Sequence, residues 1–325
     1  MIPEIKEVDL VGYVDTDPYA LDGLREATNV PAEKCFESLK EAIAATQPQA
    51  ALITTALPSH VAVTKAALEA GLHVLIEKPF APTLAAAQQL VDMAADRRLV
   101  LMVSQNYRFF PAPRALASLV QLSKLGPLHE VSIDFRRFSP GQGRHALEEQ
   151  PLLVDMSIHH FDLLRLILNR PAERIYCEAW NPEWATFGGP SVGVASIVFE
   201  GGVVVSYRGS WVTAGPVTPW AGDWRMEFQH GEVFWTSKED DGILRDRVAI
   251  RTRDGRTRTL TLPEVRWTGP AGTLTEFVNA IETGREPETS GRENLGTIAL
   301  VEAAVQSATL RELVMISRPG KVLAI

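Results

Sequence analysis

Residues 50–79 read AALITTALPSHVAVTKAALEAGLHVLIEKP, and this stretch decides the fold class. Two apolar runs of strand length, residues 50–54 and 73–77, flank a segment of helical periodicity that begins at His60 and is closed by Gly71. Both runs are apolar throughout rather than alternating, which indicates parallel strands covered on both faces. The stretch therefore predicts a strand, helix and strand unit of a doubly wound α/β domain.

The alternation of strands and helices extends on both sides of this unit. The further predicted elements are strands at residues 8–14 and 99–104 and helices at residues 18–28, 39–46 and 83–96. After Tyr107 the pattern changes to alternating strands split by glycine turns, with helices at residues 112–124, 155–168, 273–283 and 293–313. We expect two domains: an α/β domain over residues 1–108, and an α+β domain with a large, mostly antiparallel sheet over residues 109–325.

Composition excludes several classes of partner. The 325 residues carry 32 Lys and Arg against 40 Asp and Glu, a formal net charge of -8, and the basic residues form no cluster that could follow a phosphate backbone. No apolar run approaches the roughly 20 residues that span a bilayer. The N-terminal residues lack the basic and apolar regions of a signal peptide. We therefore expect a cytoplasmic protein that binds neither nucleic acid nor membrane.

The tripeptide Glu77-Lys78-Pro79 ends the second strand of the opening stretch. Open α/β sheets bind ligands at the carboxyl ends of their strands, so Lys78 is a candidate for a charged group over a cleft. Taken alone, the tripeptide is more typical of a surface lysine that precedes a turn.

A second candidate site is DMSIHHFD, residues 155–162. On a helix, Asp155, His159 and Asp162 project from one face, whereas His160 points elsewhere and is predicted to be structural. A carboxylate beside an imidazole orients its ring and suits a general base that works near neutrality. The motif by itself also fits a surface Asp-His pair.

A metal site built from these side chains is a weaker alternative. Asp155, His159 and Asp162 lack a further nearby His or Cys at a suitable spacing, and Cys35 and Cys177 match no metal-ligand pattern. We therefore expect no metal ligands.

Taken together, five stretches resemble one family of proteins. They are VGYVDTDP, AGLHVLIEKP, SQNYRFFP, DMSIHHFDLLR and FVNAIETGREPETSGRENLGTIALVEAAVQSA, in this order along nearly the whole chain. The chain is identified by them as a member of the glucose-fructose oxidoreductase, inositol dehydrogenase and rhizopine-catabolism family of NAD(P)-dependent oxidoreductases. The resemblance implies a Rossmann-like N-terminal domain and a substrate-binding C-terminal domain.

The family's catalytic Lys, Asp and His correspond here to Lys78, Asp155 and His159. In such a site His159 would take the proton of a secondary alcohol, Lys78 would stabilise the developing alkoxide and Asp155 would orient the substrate and His159. The resemblance also implies cofactor-binding roles for Asp15, Thr55, His60, Glu77, Lys78 and Asn106. An acid at position 15 favours NAD over NADP because a carboxylate repels a 2'-phosphate.

The family's first strand and its G-x-G-x-x-G loop should precede Glu7, and neither occurs in this sequence. We therefore expect an N-terminal domain truncated at its start, with the natural chain beginning roughly 25 to 30 residues upstream. The competing expectation is a degenerate relative that binds a sugar or a partner without using NAD.

The resemblance implies a dehydrogenase that acts on a sugar, a polyol or a related small molecule. NAD-dependent glycoside hydrolysis within the same family is the alternative activity. All seven tryptophans lie between Trp180 and Trp267, within the predicted sheet region. They predict either ordinary sheet packing or a sheet face buried against another subunit, and we expect a homo-oligomer formed through the C-terminal sheet.

Overall fold

The computed structural model describes residues 5–139, 141, 148–236 and 246–318. Within these residues the α-helices are α1 (Pro18–Thr28), α2 (Leu39–Thr46), α3 (Leu57–Glu69), α4 (Leu84–Asp96), α5 (Pro111–Gln121), α6 (Ser157–Leu168), α7 (Gly269–Thr283) and α8 (Gly291–Leu310). The strands are β1 (Tyr13–Val14), β2 (Cys35–Phe36), β3 (Ala50–Ile53), β4 (His73–Ile76), β5 (Leu101–Val103), β6 (Leu128–Arg136), β7 (Ala172–Trp180), β8 (Val192–Phe199), β9 (Val203–Ser210), β10 (Asp223–Phe228), β11 (Gly231–Thr236), β12 (Arg247–Thr252), β13 (Thr257–Thr259) and β14 (Val314–Met315). None of the helices in the described ranges is long and apolar enough to cross a membrane.

The N-terminal strands are all parallel, as the apolar runs predicted. β3, β4 and β5 form one sheet in that order, and β1 pairs with β2 in a second sheet. The prediction that both strands of the opening stretch are covered on both faces is wrong for β3, because Leu52 is 43% exposed in the described part of the chain; Val14 on β1 is likewise 40% exposed. The predicted strand at residues 8–14 is wrong in length, because β2 offers only two residues for pairing and the ladder covers Tyr13 and Val14 alone.

Helix α3 begins three residues before the predicted start at His60. Pro58 lies in its first turn, where the missing N–H is no loss, so the helix begins at Leu57. His60 is therefore inside the first turn and is buried. Helix α4 starts as predicted, with the Thr83 hydroxyl accepting a hydrogen bond from Ala86 N at 3.2 Å.

The C-terminal strands form one large sheet in the order β13-β12-β11-β10-β6-β9-β8-β7-β14, counted over the described residues. Every neighbouring pair is antiparallel except β6 and β9, so the prediction of a large, mostly antiparallel sheet is confirmed. Side chains on one face of the sheet are fully buried in the same hydrophobic core as the side chains of α6. They include Val131, Ile133, Phe135, Tyr207, Trp224 and Trp235.

Helices α7 and α8 return to the N-terminal sheet. Val103 N donates to Thr289 O at 2.8 Å, and the Thr289 hydroxyl donates to Val103 O at 2.6 Å. Leu274 and Phe277 of α7 share a buried cluster with Met102 of β5. The end of β5 is thereby fixed to α7 and to the segment before α8, and α8 also packs on α6.

Candidate active site

Polar side chains follow three adjacent parallel strands at the same edge of the sheet. Thr55 comes after β3, Glu77 and Lys78 after β4, and Asn106 after β5. The carboxyl ends of parallel strands meet at one edge, which is where open α/β sheets bind their ligands. The topology therefore brings these four predicted residues together.

Lys78 crosses from this edge to the C-terminal region and is held by Asp155. Its Nζ donates to Asp155 Oδ1 at 2.8 Å and to the Asp155 carbonyl oxygen at 2.6 Å. The two side chains are 14% and 16% exposed. Two oxygen partners on one side-chain nitrogen fix the end of Lys78 in place.

Asp155 does not lie on the α-helix that the sequence predicted for residues 155–168. It belongs to a π-helical segment, Pro151–Met156, and α6 begins only at Ser157. Leu152 and Leu153 of this segment are fully buried, and the Trp211 indole donates to Pro151 O at 3.0 Å. Asp155 and His159 therefore lie on two different helical segments, and their relative placement depends on the π-helical winding as well as on the spacing of a regular helix.

His159 is on α6 and is nearly enclosed, with 7% of its surface exposed. Tyr107 stacks on its imidazole with ring centroids 4.2 Å apart and planes 12° from parallel. Burial raises the pKa of Tyr107, and the nearby Asp155 carboxylate raises it further against the opposing charge of Arg137. Tyr107 is therefore a neutral phenol that lies close to both Asp155 and His159.

Asp162, the third acid of the motif, is committed to a buried ion pair. Arg108 Nε and Nη2 donate to its two carboxylate oxygens at 2.6 and 2.7 Å. The Thr297 hydroxyl donates to the same carboxylate at 2.9 Å. Asp162 thus anchors α6 rather than joining Lys78, and the described residues hold no group of His, Cys, Asp and Glu arranged for a metal ion.

His160 is fully buried, and the prediction that it is structural is confirmed. Its ring nitrogens lie 3.2 Å from the Tyr207 hydroxyl and 3.2 Å from the Trp220 carbonyl oxygen. Both partners belong to the C-terminal sheet region, so His160 holds α6 against the sheet.

His60 lies inside the protein, only 2% exposed, between two turns of the site. Its Nδ1 is 2.8 Å from the Pro79 carbonyl oxygen and its Nε2 is 2.8 Å from the Thr55 carbonyl oxygen. The ring therefore ties the turn after β3 to the turn that carries Lys78. Its contribution to the site is to fix this backbone.

Two of the remaining cofactor candidates have groups available to a ligand. Asp15 is exposed after β1, and only its Oδ1 is used within the described residues, accepting from Asp17 N at 2.9 Å. Asn106 Oδ1 is buried and accepts no hydrogen bond from the described part of the chain. A buried acceptor without a donor is costly, so a ligand amide would stabilise it. These two acceptors fit the hydroxyl donors of a ribose and the amide donor of a nicotinamide.

Sequence reasoning missed Tyr107 and Arg108. Both belong to SQNYRFFP, in which the family resemblance implies a role for Asn106 alone. Both lie in a 3₁₀ turn, Asn106–Phe109, that the sequence did not predict. Their partners on α6 are more than fifty positions away in the chain, so no local pattern identifies them.

Two family models match the chain. Residues 3–105 match an oxidoreductase family with an NAD-binding Rossmann fold, and residues 114–233 match the C-terminal domain of the same GFO/IDH/MocA family.

Proteins of known activity are similar over almost the full length. D-apiose dehydrogenase of Paraburkholderia graminis is 28% identical over 94% of this chain and 82% of its own length. Inositol 2-dehydrogenase of Rhizobium meliloti is 25% identical over 95% of this chain and 92% of its own length. An Agrobacterium radiobacter oxidoreductase, solved with NAD+, L-tartaric acid and magnesium, shares the fold with a TM-score of 0.78 at 21% identity, over 93% of this chain and 89% of that one. The chain therefore belongs to the GFO/IDH/MocA family and is an NAD-dependent oxidoreductase with a Rossmann nucleotide-binding fold.

Proposed function

We propose that the protein transfers a hydride between a secondary alcohol of a sugar, a polyol or a related small molecule and the nicotinamide of NAD. The observation that carries the proposal is the ion pair of Lys78 with Asp155, 2.8 Å long, at the carboxyl edge of the parallel sheet. In the proposal, this ion pair holds the Lys78 ammonium beside the position where the substrate alcohol loses its proton. The similarity to dehydrogenases of apiose and inositol supports substrates with several hydroxyl groups.

The catalytic residues of the proposal are Lys78, Asp155 and His159. The substrate hydroxyl gives its proton to the His159 imidazole, a base suited to work near neutrality. The Lys78 ammonium stabilises the negative charge that develops on the substrate oxygen, and it does so in a partly dry position where charge interactions are strong. Asp155 holds that ammonium in place and orients the substrate.

Bound NAD would supply the carbon that accepts the hydride. Asp15 would accept hydrogen bonds from the ribose hydroxyls, which favours NAD over NADP because a 2'-phosphate would meet a carboxylate. Asn106 would accept a hydrogen bond at the nicotinamide end. Thr55, Glu77 and Lys78 would line the same edge, and His60 would hold the turns that present them.

The proposal places the protein in the cytoplasm, where nicotinamide coenzymes are abundant, as a homo-oligomer formed through the C-terminal sheet. With a net charge of -8, we propose no nucleic-acid or anionic-membrane partner.

The experiment that tests the function is a screen of polyols and aldoses with NAD and with NADP, followed by NADH or NADPH absorbance. We expect turnover with NAD. His159→Asn should lower kcat by about 10² to 10⁴-fold, while calorimetry finds the same NAD affinity, since His159 is not among the proposed cofactor residues. His129→Asn is the matched control, because His129 is an exposed histidine on β6 and should leave kcat unchanged.

Three results would contradict the proposal. They are wild-type kcat in His159→Asn, NAD binding without oxidation of any polyol or aldose, and release of a sugar leaving group without net NADH. The last would establish the glycoside hydrolase activity instead.

A further inference from the structure

One face of the His159 imidazole is covered by the ring of Tyr107. The centroids are 4.2 Å apart and the planes differ by 12°. Tyr107 is 5% exposed and His159 is 7% exposed, so the pair is closed to solvent on most sides. Aromatic rings attract each other beyond the effect of burial alone, and the stacked orientation is therefore the stable one.

Tyr107 is itself held in place by a ring contact and by the hydrogen bonds of the residue that follows it. Phe110 meets it edge to face, with centroids 6.3 Å apart and planes at 87°. Arg108, the next residue, donates two hydrogen bonds to Asp162 at 2.6 and 2.7 Å. Asp162 follows His159 by three residues on α6, about one helical turn. Two consecutive residues of the 3₁₀ turn thus contact α6 at consecutive turns.

We propose that Tyr107 is a positioning residue that keeps the His159 imidazole in one orientation toward the substrate hydroxyl. Rotation of the imidazole about its Cβ–Cγ bond would have to break the stack. A base held in line with the proton it removes gains rate from orientation. The face of a tyrosine ring also attracts a cation, which favours the imidazolium formed when the proton arrives. The proposal rests on the proposed function, because it takes His159 as the base.

The phenol group of Tyr107 is not the base in this arrangement. Burial raises the pKa of Tyr107, so the hydroxyl keeps its proton throughout the working range of a dehydrogenase. The contribution of Tyr107 comes from its ring. Phenylalanine at position 107 should therefore preserve the positioning of His159, and leucine should not.

The kinetic test compares Tyr107→Phe and Tyr107→Leu with the wild type. We expect Tyr107→Leu to lower kcat by about tenfold or more with KM changed by less than about threefold, since orientation of the base acts on the chemical step. Tyr107→Phe should restore kcat to within about threefold. Tyr19→Leu is the control, because Tyr19 is a tyrosine on α1 that is 84% exposed and belongs neither to the proposed catalytic residues nor to the proposed interface. Wild-type kcat in Tyr107→Leu would overturn the proposal.

A spectroscopic readout does not depend on turnover. A proton above a tyrosine ring is shifted upfield, so the His159 ring protons should resonate upfield of those of exposed His129, assigned by their loss in His159→Gln. The shift should persist in Tyr107→Phe and vanish in Tyr107→Leu. An unshifted His159 signal in the wild type overturns the proposal even if Tyr107→Leu fails to fold. An upfield signal without any turnover would leave the stack in place and refute the proposed function instead.

Discussion

Asp246 carries a carboxylate in a position that favours its neutral form. Burial raises its pKa to about 6, and a hydrogen bond from Ala112 N, 3.3 Å from Oδ2, opposes the shift. Its Oδ1 has no partner within the described residues. The folded protein therefore holds this proton between about pH 4 and pH 6, where the unfolded chain has released it.

We predict that Asp246→Asn raises the free energy of unfolding at pH 8 and has little effect near pH 4. Because the pKa of Asp246 is raised in the folded protein, the free energy of unfolding falls as pH rises through this window. The asparagine amide cannot ionise, so it removes the free-energy cost of a buried carboxylate, and its oxygen can still accept the hydrogen bond from Ala112 N. After discounting for solvent, the gain is about 1–2 kcal/mol, measurable by urea unfolding at both pH values. A loss of stability at pH 8 would mean that the α5 N-terminus favours the anion more than burial opposes it.

Asp254→Asn is the matched control for this measurement. The Asp254 side chain is exposed, and hydrogen bonds from Arg256 and Thr252 lower its pKa. Its lowered pKa means that the ionised Asp254 stabilises the folded protein at neutral pH and that this stabilisation is lost as pH falls. Asp254→Asn should therefore lower the free energy of unfolding at pH 8, whereas Asp246→Asn should raise it.

At the same scale, the sequence located Lys78, Asp155 and His159 because each belongs to a short motif next to a strand end or on a helix. Their roles stay predictions, although the ion pair joins the first two. Tyr107 could not be found in this way. Its partner is distant in the chain, and a tyrosine that stacks on a histidine leaves no periodic mark in the sequence.

At the scale of elements, Arg108 joins three of them through one buried guanidinium. It donates to Asp162 on α6 and, at 3.2 Å, to Glu293 at the start of α8. Arg108 and Asp162 are 3% and 1% exposed. The Thr297 hydroxyl of α8 also donates to Asp162 at 2.9 Å. The turn after β5 is thereby fixed to both helices.

We predict that Asp162→Asn lowers the free energy of unfolding by about 3–5 kcal/mol, because it leaves the buried guanidinium with only Glu293, a partly exposed carboxylate, as its counter-charge among the described residues. Arg108→Met should cost a similar amount. The double variant should cost clearly less than the sum, since it removes both charges. Urea unfolding measures all three. Arg256→Met, at an exposed ion pair with Asp254, should cost under about 1 kcal/mol. Additive costs in the double variant would contradict the interpretation.

Element types were largely predictable from periodicity, and element boundaries were less so. The apolar runs before Thr55 and Glu77 are parallel strands as expected. Their apolar composition predicted burial on both faces, which β4 shows and β3, with Leu52 43% exposed, does not. The π-helical winding around Asp155 was not predictable. It depends on where Pro151 and its neighbours pack against Trp211, which is a tertiary contact.

At the scale of the whole molecule, the large sheet has one face packed on helices and one face on which the described residues leave apolar side chains exposed. Sheet packing explains some of the tryptophans: Trp224 and Trp235 are 0% and 1% exposed on the covered face, whereas Trp180 and Trp184 are 45% and 77% exposed. The outer face presents other apolar side chains in the middle of the sheet. These are Tyr176, Val194, Val204 and Phe234, each 39–40% exposed. A second copy of the chain remains the proposed cover for this face.

We predict that the protein is an oligomer whose mass in light scattering is a multiple of 35.7 kDa. Val204→Glu should dissociate it while leaving the fold intact, since the side chain points away from the core of the single chain and would bury a charge only in the assembly. Glu130 lies opposite Val204 on β6 and would add repulsion. Tyr19→Glu, at a side chain 84% exposed on α1, should leave the mass unchanged. The apolar side chains of the outer face stabilise the protein only when a partner removes them from water. A wild-type mass of one chain would mean that no second copy does so, and it would refute the interface.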